Sequence, residues 1–301
     1  MSEAFPPAQP PEPPSRQASH RRHRLHLRAA KLWLVSVAVV LVVTLVVVTL
    51  QDRSHAPLSG PKASPAPAAV VALATNVGQR TSTAVGRGTA TTAPIPVHGA
   101  GRLSRGGLPE VVYVTSEFCP YCAAEAWPLV VALARFGHFS HLGQAQSSPH
   151  EVFGDTGTFS FFGTAFSSPY LAFSGTVEYG NETQPGGAFV GLDEISPSAR
   201  KLIARLNSGG YAEAQDVLAG TMPFLDIANR YLVLGSQYSP AVIAGSSLQS
   251  TASSLSNARS STTQAVVGAA NELTAALCAI TKDRPGSACH SPGVRAAARA
   301  L

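Results

Sequence analysis

The longest uninterrupted hydrophobic pattern of the chain lies near its N-terminus. Residues 32–50 read LWLVSVAVVLVVTLVVVTL and contain no charged side chain. A helix of about 20 apolar residues spans the hydrocarbon core of a bilayer, whereas the apolar part of a signal peptide runs to about 15 residues. The pattern therefore predicts one uncleaved transmembrane helix over residues 32–50, with a cleaved signal sequence as the alternative.

The distribution of charge orients this helix. The 301-residue chain has a net charge of +5, and residues 1–31 contribute six Arg or Lys against two Glu. Basic segments beside a membrane helix stay in the cytoplasm, so we expect residues 1–31 to form a disordered cytoplasmic tail. Everything after residue 50 is then extracytoplasmic, in a single-pass protein of the cell membrane. Because the basicity belongs to this tail, it does not indicate a nucleic-acid-binding domain.

The next segment has the composition of a tether. Residues 51–107 are rich in Ala, Pro, Gly, Ser and Thr and poor in large apolar side chains. Such a composition buries too little surface to offset the loss of chain entropy, which predicts a linker over residues 51–107. Within it, the run VVALA at residues 70–74 suggests a strand that joins the following domain.

Two cysteines lie where a strand pattern changes into a helix pattern. EVVYVT at residues 110–115 is β-branched and aromatic, as in a buried strand. AAEAWPLVVALARF at residues 123–136 carries apolar residues at helical spacing. The tetrad CPYC between them is therefore predicted to open the helix, with Cys119 at the helix N-terminus and the folded domain beginning at residue 108.

This placement bears on the chemistry of the pair. Unpaired N–H groups and the helix dipole stabilise a thiolate at a helix N-terminus, and Pro120 suits the first helical turn. A structural disulfide between Cys119 and Cys122 would constrain little chain. A four-cysteine zinc site would need Cys278 and Cys289, which are spaced more widely than the usual zinc knuckle. The pattern favours a redox dithiol over a structural disulfide or a metal site, and we expect no bound metal.

The second cysteine pair is predicted to be structural. Cys278 lies near the end of an apolar helical run, and the turn at residues 283–286 lets Cys289 fold back towards it. We expect a Cys278–Cys289 disulfide that pins the C-terminus onto the last helix of a domain ending at residue 293, with residues 294–301 as a tail. The alternative is a second redox pair that relays electrons to Cys119.

A β-hairpin pattern completes a recognisable order of elements. Residues 220–235 read GTMPFLDIANRYLVLG, in which a proline opens the first strand and the chain turns at residues 229–230. A strand that ends in C-x-x-C on a helix, followed by such a hairpin and a C-terminal helix, resembles the thioredoxin fold. By that resemblance Pro223 is a cis-proline packed against the dithiol, and Met222 faces the sulfurs. The tetrad CPYC is similar to that of glutaredoxins.

A narrower resemblance rests on several motifs together. EFCPYCAAEAW, ALARFGHF, SSPY, PFLDIANRY and the cysteine-bearing C-terminus are similar to those of a prokaryotic family of membrane-anchored, thioredoxin-like proteins described as a domain of unknown function. The resemblance covers residues 95–290. It implies an α/β fold, thioredoxin-like over residues 108–293, with one preceding transmembrane helix. An insertion, with strands near residues 158–163 and 169–173 and a helix over residues 196–206, separates the C-x-x-C helix from the hairpin.

Two acidic residues near the tetrad are candidates for proton transfer. The buried acid that thioredoxins carry on the first strand has no counterpart in EVVYVT. Glu117 and Glu125 are close enough in sequence to relay a proton to or from Cys122, although solvated carboxylates at a helix end are the simpler interpretation. Pro120, Tyr121 and Met222 are expected to border the substrate groove.

The expected function is thiol–disulfide exchange outside the cytoplasm. Cys119 would form a mixed disulfide with a protein thiol or disulfide, Cys122 would resolve it, and Pro223 would shape the groove. No organic cofactor is implied, and electrons would pass to or from a redox partner protein. The rival interpretation is a non-enzymatic thioredoxin-like module that presents its insertion to a partner at the cell envelope.

Overall fold

A computed structural model describes residues 64–207 and 221–301 of the chain. The predicted cytoplasmic tail (residues 1–31), the predicted transmembrane helix (residues 32–50) and the first part of the predicted linker lie outside the described residues. Within the described ranges, no helix combines the length and the apolar character needed to cross a membrane.

The described residues form a mixed α/β structure. The strands are β1 (Ile95–Pro96), β2 (Ser104–Arg105), β3 (Leu108–Thr115), β4 (His138–Ser140), β5 (Gly143–Gln146), β6 (Gly157–Ser160), β7 (Ala165–Ser167), β8 (Ala172–Val177), β9 (Tyr179–Thr183), β10 (Phe189–Gly191), β11 (Phe224–Ile227) and β12 (Tyr231–Leu234). The α-helices are α1 (Ala68–Thr75), α2 (Gln79–Val85), α3 (Pro120–Leu133), α4 (Pro197–Leu206), α5 (Leu248–Ser254), α6 (Ser261–Thr281), α7 (Gly286–Cys289) and α8 (Pro292–Ala297). Short 3₁₀ helices occupy Pro240–Val242 and Ala298–Ala300.

The main sheet is mixed and is centred on β3. Its order is β1-β12-β11-β3-β2, and β8 also pairs with β3. β11 runs antiparallel to β3, with Phe224 opposite Val114 and Ile227 opposite Val111. β8 runs parallel to β3 from Glu110 onwards, beyond the point where β2 pairs with the start of the strand. The remaining described strands form the two-stranded sheets β9–β10, β4–β7 and β5–β6.

Successive side chains of the central strand β3 belong alternately to two hydrophobic cores. Val111 and Tyr113 belong to the large core that contains α3 and α6. Val112 and Val114 belong to a smaller core with Leu202 and other side chains of α4. Because successive side chains of a strand point to opposite faces, the sheet carries helices on both sides. Uninterrupted apolar runs such as EVVYVT follow from this burial on both faces.

The structure confirms several predicted elements. The cysteine tetrad opens α3, and residues 224–234 form the predicted hairpin β11–β12 with its turn before Tyr231. α4 matches the helix predicted over residues 196–206 within one residue. The strand expected over residues 169–173 lies later in the chain, at β8.

The linker prediction differs from the structure over its described part. The run at residues 70–74 lies in the helix α1 rather than in a strand, and its Val70 and Ala74 are fully buried in the large core. α2 packs against α6, and β1 and β2 add to the main sheet. α1 buries apolar side chains in the large core, and backbone carbonyls of α2 and of the segment after it lie against glycines of α6 and α8. Composition alone does not reveal these contacts.

The C-terminal residues also differ from the predicted tail. α8 packs against α2 and α6, with Val294 and Ala297 buried. At Gly293, an added Cβ would lie 2.2 Å from the carbonyl oxygen of Ser82. The folded domain therefore extends in both directions beyond the predicted limits of 108 and 293.

Gly268 offers a test of this packing. An added Cβ would lie 2.2 Å from the carbonyl oxygen of Arg87, although alanine is the better helix former in the middle of α6. We predict that Gly268→Ala lowers the free energy of unfolding by about 1–3 kcal/mol because overpacking outweighs helix propensity. Thermal unfolding of the full chain in mild detergent, followed by circular dichroism, measures this change. Gly101→Ala, which meets nothing within 4 Å, should be nearly neutral, and equal stability of the two variants would contradict the packing.

Candidate functional site

Cys119 is the N-cap of α3. Its backbone is extended, and its sulfur accepts a hydrogen bond from the backbone N–H of Cys122 at 3.3 Å. The pKa of the half-buried Cys119 thiol is lowered, first by a hydrogen bond with the Cys122 side chain and further by the N–H groups of Cys122 and Tyr121. Burial and the charge of Glu151 oppose this shift. Cys119 is therefore the thiol of the pair that ionises first.

Cys122 lies one turn further along α3 in the protein interior. Its side chain is 2% exposed, and burial raises its pKa well above the ordinary value of a thiol. The hydrogen bond and the charge of Cys119 raise it further, while a hydrogen bond with the Thr115 side chain opposes the shift. Both cysteines are free thiols in the structure. The two sulfurs thus differ in access to solvent and in acidity.

The register of the sheet places Pro223 beside this pair. The Met222–Pro223 peptide bond is cis, and Pro223 immediately precedes β11. Phe224 pairs with Val114, so continuing the register by one residue sets Pro223 opposite Thr115, whose side chain contacts Cys122. Met222 is half-buried and packs against the smaller core under α4.

The two central residues of the tetrad differ in exposure. Pro120 is buried in the first turn of α3, where a missing N–H costs no hydrogen bond. Tyr121 is 46% exposed and is the one residue of α3 that is not buried. Of the residues predicted to border a groove, Tyr121 presents the largest free apolar surface at the tetrad.

Glu117 lies between two cavities. Its Oε1 accepts a hydrogen bond from the Ser160 hydroxyl at 2.5 Å, and its backbone N–H donates to the Tyr179 carbonyl. Burial raises the pKa of the carboxyl, the Ser160 hydrogen bond opposes this, and the charge of Glu182 raises it further. Glu117 lines an open cleft of about 760 Å³ and, with Cys122, a small cavity of about 10 Å³. It is the predicted relay residue that borders both the buried thiol and the solvent.

Glu125 is completely buried, so its interpretation as a solvated carboxylate is wrong. Its Oε2 accepts a hydrogen bond from the backbone N–H of Gln237 at 3.0 Å, and its Oε1 has no partner among the described atoms. Burial raises its pKa to about 8, the Gln237 hydrogen bond opposes the shift, and Glu272 adds to it. A carboxyl in this environment is mostly protonated at neutral pH, which makes it a hydrogen-bond donor.

Sequence reasoning missed the polar network that surrounds Glu125. The side-chain amide of Gln237 donates to Glu272 at 3.1 Å, and Glu272 pairs with the half-exposed Arg87 at 2.7 Å. The Tyr238 hydroxyl donates to the Ala124 carbonyl in the same region. The acidic Glu272 within the apolar helix α6 is the one sequence signal that could have revealed this network, because a charge there needs a partner.

The second cysteine pair lies away from the tetrad. Cys278 and Cys289 form a disulfide with a Cα–Cα distance of 5.6 Å, which joins α6 to α7. Ile280, two residues after Cys278, lines a cavity together with Tyr231. Tyr231 pairs with Ile227, and Ile227 pairs with Val111 in the first half of β3. The tetrad follows the other end of β3, so the disulfide and the tetrad lie at opposite ends of the main sheet.

The described residues contain no group of three or more His, Cys, Asp and Glu side chains that could hold a metal ion. The groups that the structure describes at the tetrad are two thiols and the neighbouring carboxyl groups. One thiol is accessible and acidic, and the other is buried and retains its proton.

The burial of Glu125 generates a prediction about stability and pH. Its folded pKa of about 8 lies above the unfolded value near 4.5, so the neutral form stabilises the fold below pH 4.5 and this contribution is lost as the pH rises to about 8. We predict that Glu125→Gln gains stability relative to the parent by at most about 1.4 kcal/mol per pH unit over this window. Urea unfolding between pH 5 and pH 8 measures the difference. Asp226, whose pKa burial raises to about 7, affects both proteins alike, and parallel pH profiles would contradict the prediction.

Comparison with known proteins places the chain in a family. The family described as "Domain of unknown function (DUF929)" matches residues 99–279. No curated protein and no solved structure gives a significant match. The predicted membership of a family of unknown function is confirmed, and the match covers the sheet from β2 onwards, the tetrad, the hairpin and most of α6. The chain belongs to the DUF929 family.

Proposed function

We propose that the protein is a thiol–disulfide oxidoreductase that acts through Cys119 and Cys122. The proposal rests on the difference between the two thiols in exposure to solvent and in pKa. Cys119 caps a helix N-terminus, is partly exposed and has a lowered pKa, whereas Cys122 is buried with a raised pKa. In such a dithiol, the acidic and accessible sulfur attacks the substrate, and the buried sulfur resolves the mixed disulfide that forms.

The order of elements supports a thioredoxin-like arrangement. β3 leads into the tetrad and α3, the hairpin β11–β12 returns antiparallel to β3, and the long helix α6 packs on α3. The strands β4 to β10 and α4 form the proposed insertion between them, and within it β8 joins the main sheet parallel to β3. In this arrangement Pro223, which lies opposite Thr115 in the extended register of β11 and β3, borders the groove in which a substrate backbone would lie.

The proposed reaction proceeds in two exchanges. The Cys119 thiolate attacks a substrate disulfide, a mixed disulfide forms, and one substrate sulfur leaves as a thiolate. Cys122 then loses its proton, and its thiolate attacks the Cys119 sulfur and releases the second substrate sulfur. The substrate gains two electrons, and the protein is left with a Cys119–Cys122 disulfide. Run in reverse, the same steps oxidise a substrate dithiol, and a partner dithiol or disulfide protein restores the starting state.

Glu117 is the proposed proton acceptor for Cys122. The two side chains line the same small cavity, which Ser160 also borders, and Glu117 opens on its other side to the larger cleft. A proton taken from Cys122 can therefore reach solvent through Glu117. Glu125 lies one helical turn beyond Cys122 without access to solvent, and as a neutral acid it avoids adding a second negative charge near the buried thiol.

The first functional prediction concerns reactivity. At pH 7 we expect Cys119 to alkylate at least about tenfold faster than Cys122, because its thiolate fraction and its exposure are greater. Mass spectrometry of the iodoacetamide-treated full chain, after proteolysis, measures both rates. Cys122→Ser should trap mixed disulfides through Cys119, whereas the matched variant Cys119→Ser should trap few because the remaining thiol is buried.

The outcome also decides between the enzyme and the rival interpretation. Slow, equal labelling of both thiols and no trapped species in either variant would favour a non-enzymatic binding module. A trapped species that depends on Cys119 alone supports exchange.

We also propose that residues 32–50 anchor the protein in the cell membrane with the tetrad outside the cytoplasm. The apolar run and the basic residues before it support this topology. A phosphatase reporter fused after Leu301, active only outside the cytoplasm, should be active and should sediment with membranes. Recovery of the fusion as a soluble secreted protein would instead indicate a cleaved signal sequence.

A further inference from the structure

Charge is unevenly distributed along the chain. Between Arg105 and Arg200 the sequence contains one Lys or Arg, Arg135, against nine Asp or Glu, although the whole chain has a net charge of +5. This acidic stretch includes the tetrad, α3 and the strands β4 to β10. Even with Glu125 counted as neutral, the stretch of sequence that contains the dithiol is acidic, whereas the whole chain is basic.

The same asymmetry is present in the cleft lined by Glu117, which precedes the tetrad by two residues. The cleft of about 760 Å³ is lined by three carboxyl groups, those of Glu117, Asp155 and Glu182, and by the side-chain amides of Gln144 and other residues. Among the described residues that line it, none is Lys or Arg. Glu182 is near enough to raise the pKa of Glu117, and Glu151 is near enough to raise that of Cys119. A cation in this cleft would relieve the repulsion among these groups.

Exposed apolar side chains lie on the tetrad and on segments that contact Phe118, the residue before it. Among the described residues, four large hydrophobic side chains are exposed, and three of them are near the tetrad. Tyr121 belongs to it, and Tyr179 packs against Phe118 with ring centroids 6.4 Å apart. Val152, 72% exposed, lies in a loop that is tied to the tetrad where the Ser148 N–H donates to the Phe118 carbonyl. Clustered exposed apolar side chains mark interaction surfaces more often than scattered ones.

We propose that the substrate is a cationic polypeptide, which lays apolar side chains on Tyr121, Tyr179 and Val152 and a basic side chain in the cleft of Glu117, Asp155 and Glu182 while its sulfur meets Cys119. This inference rests on the proposed function and specifies its substrate class. A small cation would fill the acidic cleft but would leave the apolar side chains beside Cys119 uncovered. A polypeptide covers both, and charge complementarity at such a surface mainly accelerates association.

The test uses the full chain with Cys122→Ser, purified in mild detergent. In this variant Cys119 is the single free thiol, since Cys278 and Cys289 form a disulfide. Two peptides are compared, each with a central cysteine activated as a thionitrobenzoate disulfide. They are identical except that one carries lysines on both sides of the cysteine and the other carries glutamates. Attack of the Cys119 thiolate on the peptide sulfur breaks the S–S bond, forms a mixed disulfide and releases the coloured thiolate. At low salt we expect the lysine peptide to react at least about fivefold faster, and this ratio should fall as salt screens the charges.

Charge-reversed variants assign the selectivity to the cleft. Glu182→Lys should bring the ratio of the two rates close to one. Asp283→Lys changes the net charge equally at the opposite end of the main sheet and should leave the ratio unchanged. A ratio near one in the parent, or an unchanged ratio in Glu182→Lys, would overturn the substrate inference while the thiol chemistry stands.

The neutral reagent dithiodipyridine distinguishes a failure of the substrate inference from a failure of the proposed function. If Cys119 reacts with it but does not discriminate between the peptides, the substrate inference alone fails. If Cys119 reacts with neither the reagent nor the peptides, the proposed function fails, and the substrate inference fails with it.

Discussion

The burial of α3 is the constraint on which most of this structure depends. Every residue of the helix except Tyr121 is buried, so the helix must be covered on all sides. The two-stranded sheet β5–β6 packs against it through β6, and α6 and α1 cover it from other directions. The first turn of the helix reaches the surface at Tyr121, close to the half-buried Cys119 that caps it. Burial of the helix body and exposure of one thiol are therefore two results of the same packing.

The same burial explains the polar chemistry inside the domain. A carboxyl group on a helix with no solvent-facing side cannot be hydrated, and Glu125 instead accepts an N–H from Gln237 and retains its proton. Glu272 on α6 is also buried, and it forms an ion pair with Arg87 from the segment after α2. The network thus ties together segments that lie far apart in sequence. Its full effect depends on contacts that no local pattern encodes.

The elements that could be predicted from the sequence are those defined by local chemistry. The β-branched run before the tetrad, the proline in the first turn of α3 and the hairpin turn at residues 229–230 each specify a structure within a few residues. α1 and α2 could not be predicted in this way, because their small residues resemble those of a linker. α1 is stabilised by burial in the large core, and α2 by close contacts such as that of Gly293 with Ser82, which joins residues more than 200 positions apart. At the site, the positions of both cysteines follow from the pattern, whereas the distinct environments of Glu117 and Glu125 depend on Ser160 and Gln237, which are remote in sequence.

The close approach of α2 to α6 and α8 also has a consequence for the order of assembly. Residues 79–88 leave the ribosome long before Gly268 and Gly293, yet their backbone carbonyls lie against these two glycines. The first part of the domain to be synthesised therefore cannot reach its final packing until nearly the last part has been made. Such non-local contacts slow folding, because a long intervening chain must be closed before the contacts form. Until then, α2 lacks α6 and α8, the two helices that it packs against, and the newly made chain leaves the apolar side chain of Val85 uncovered.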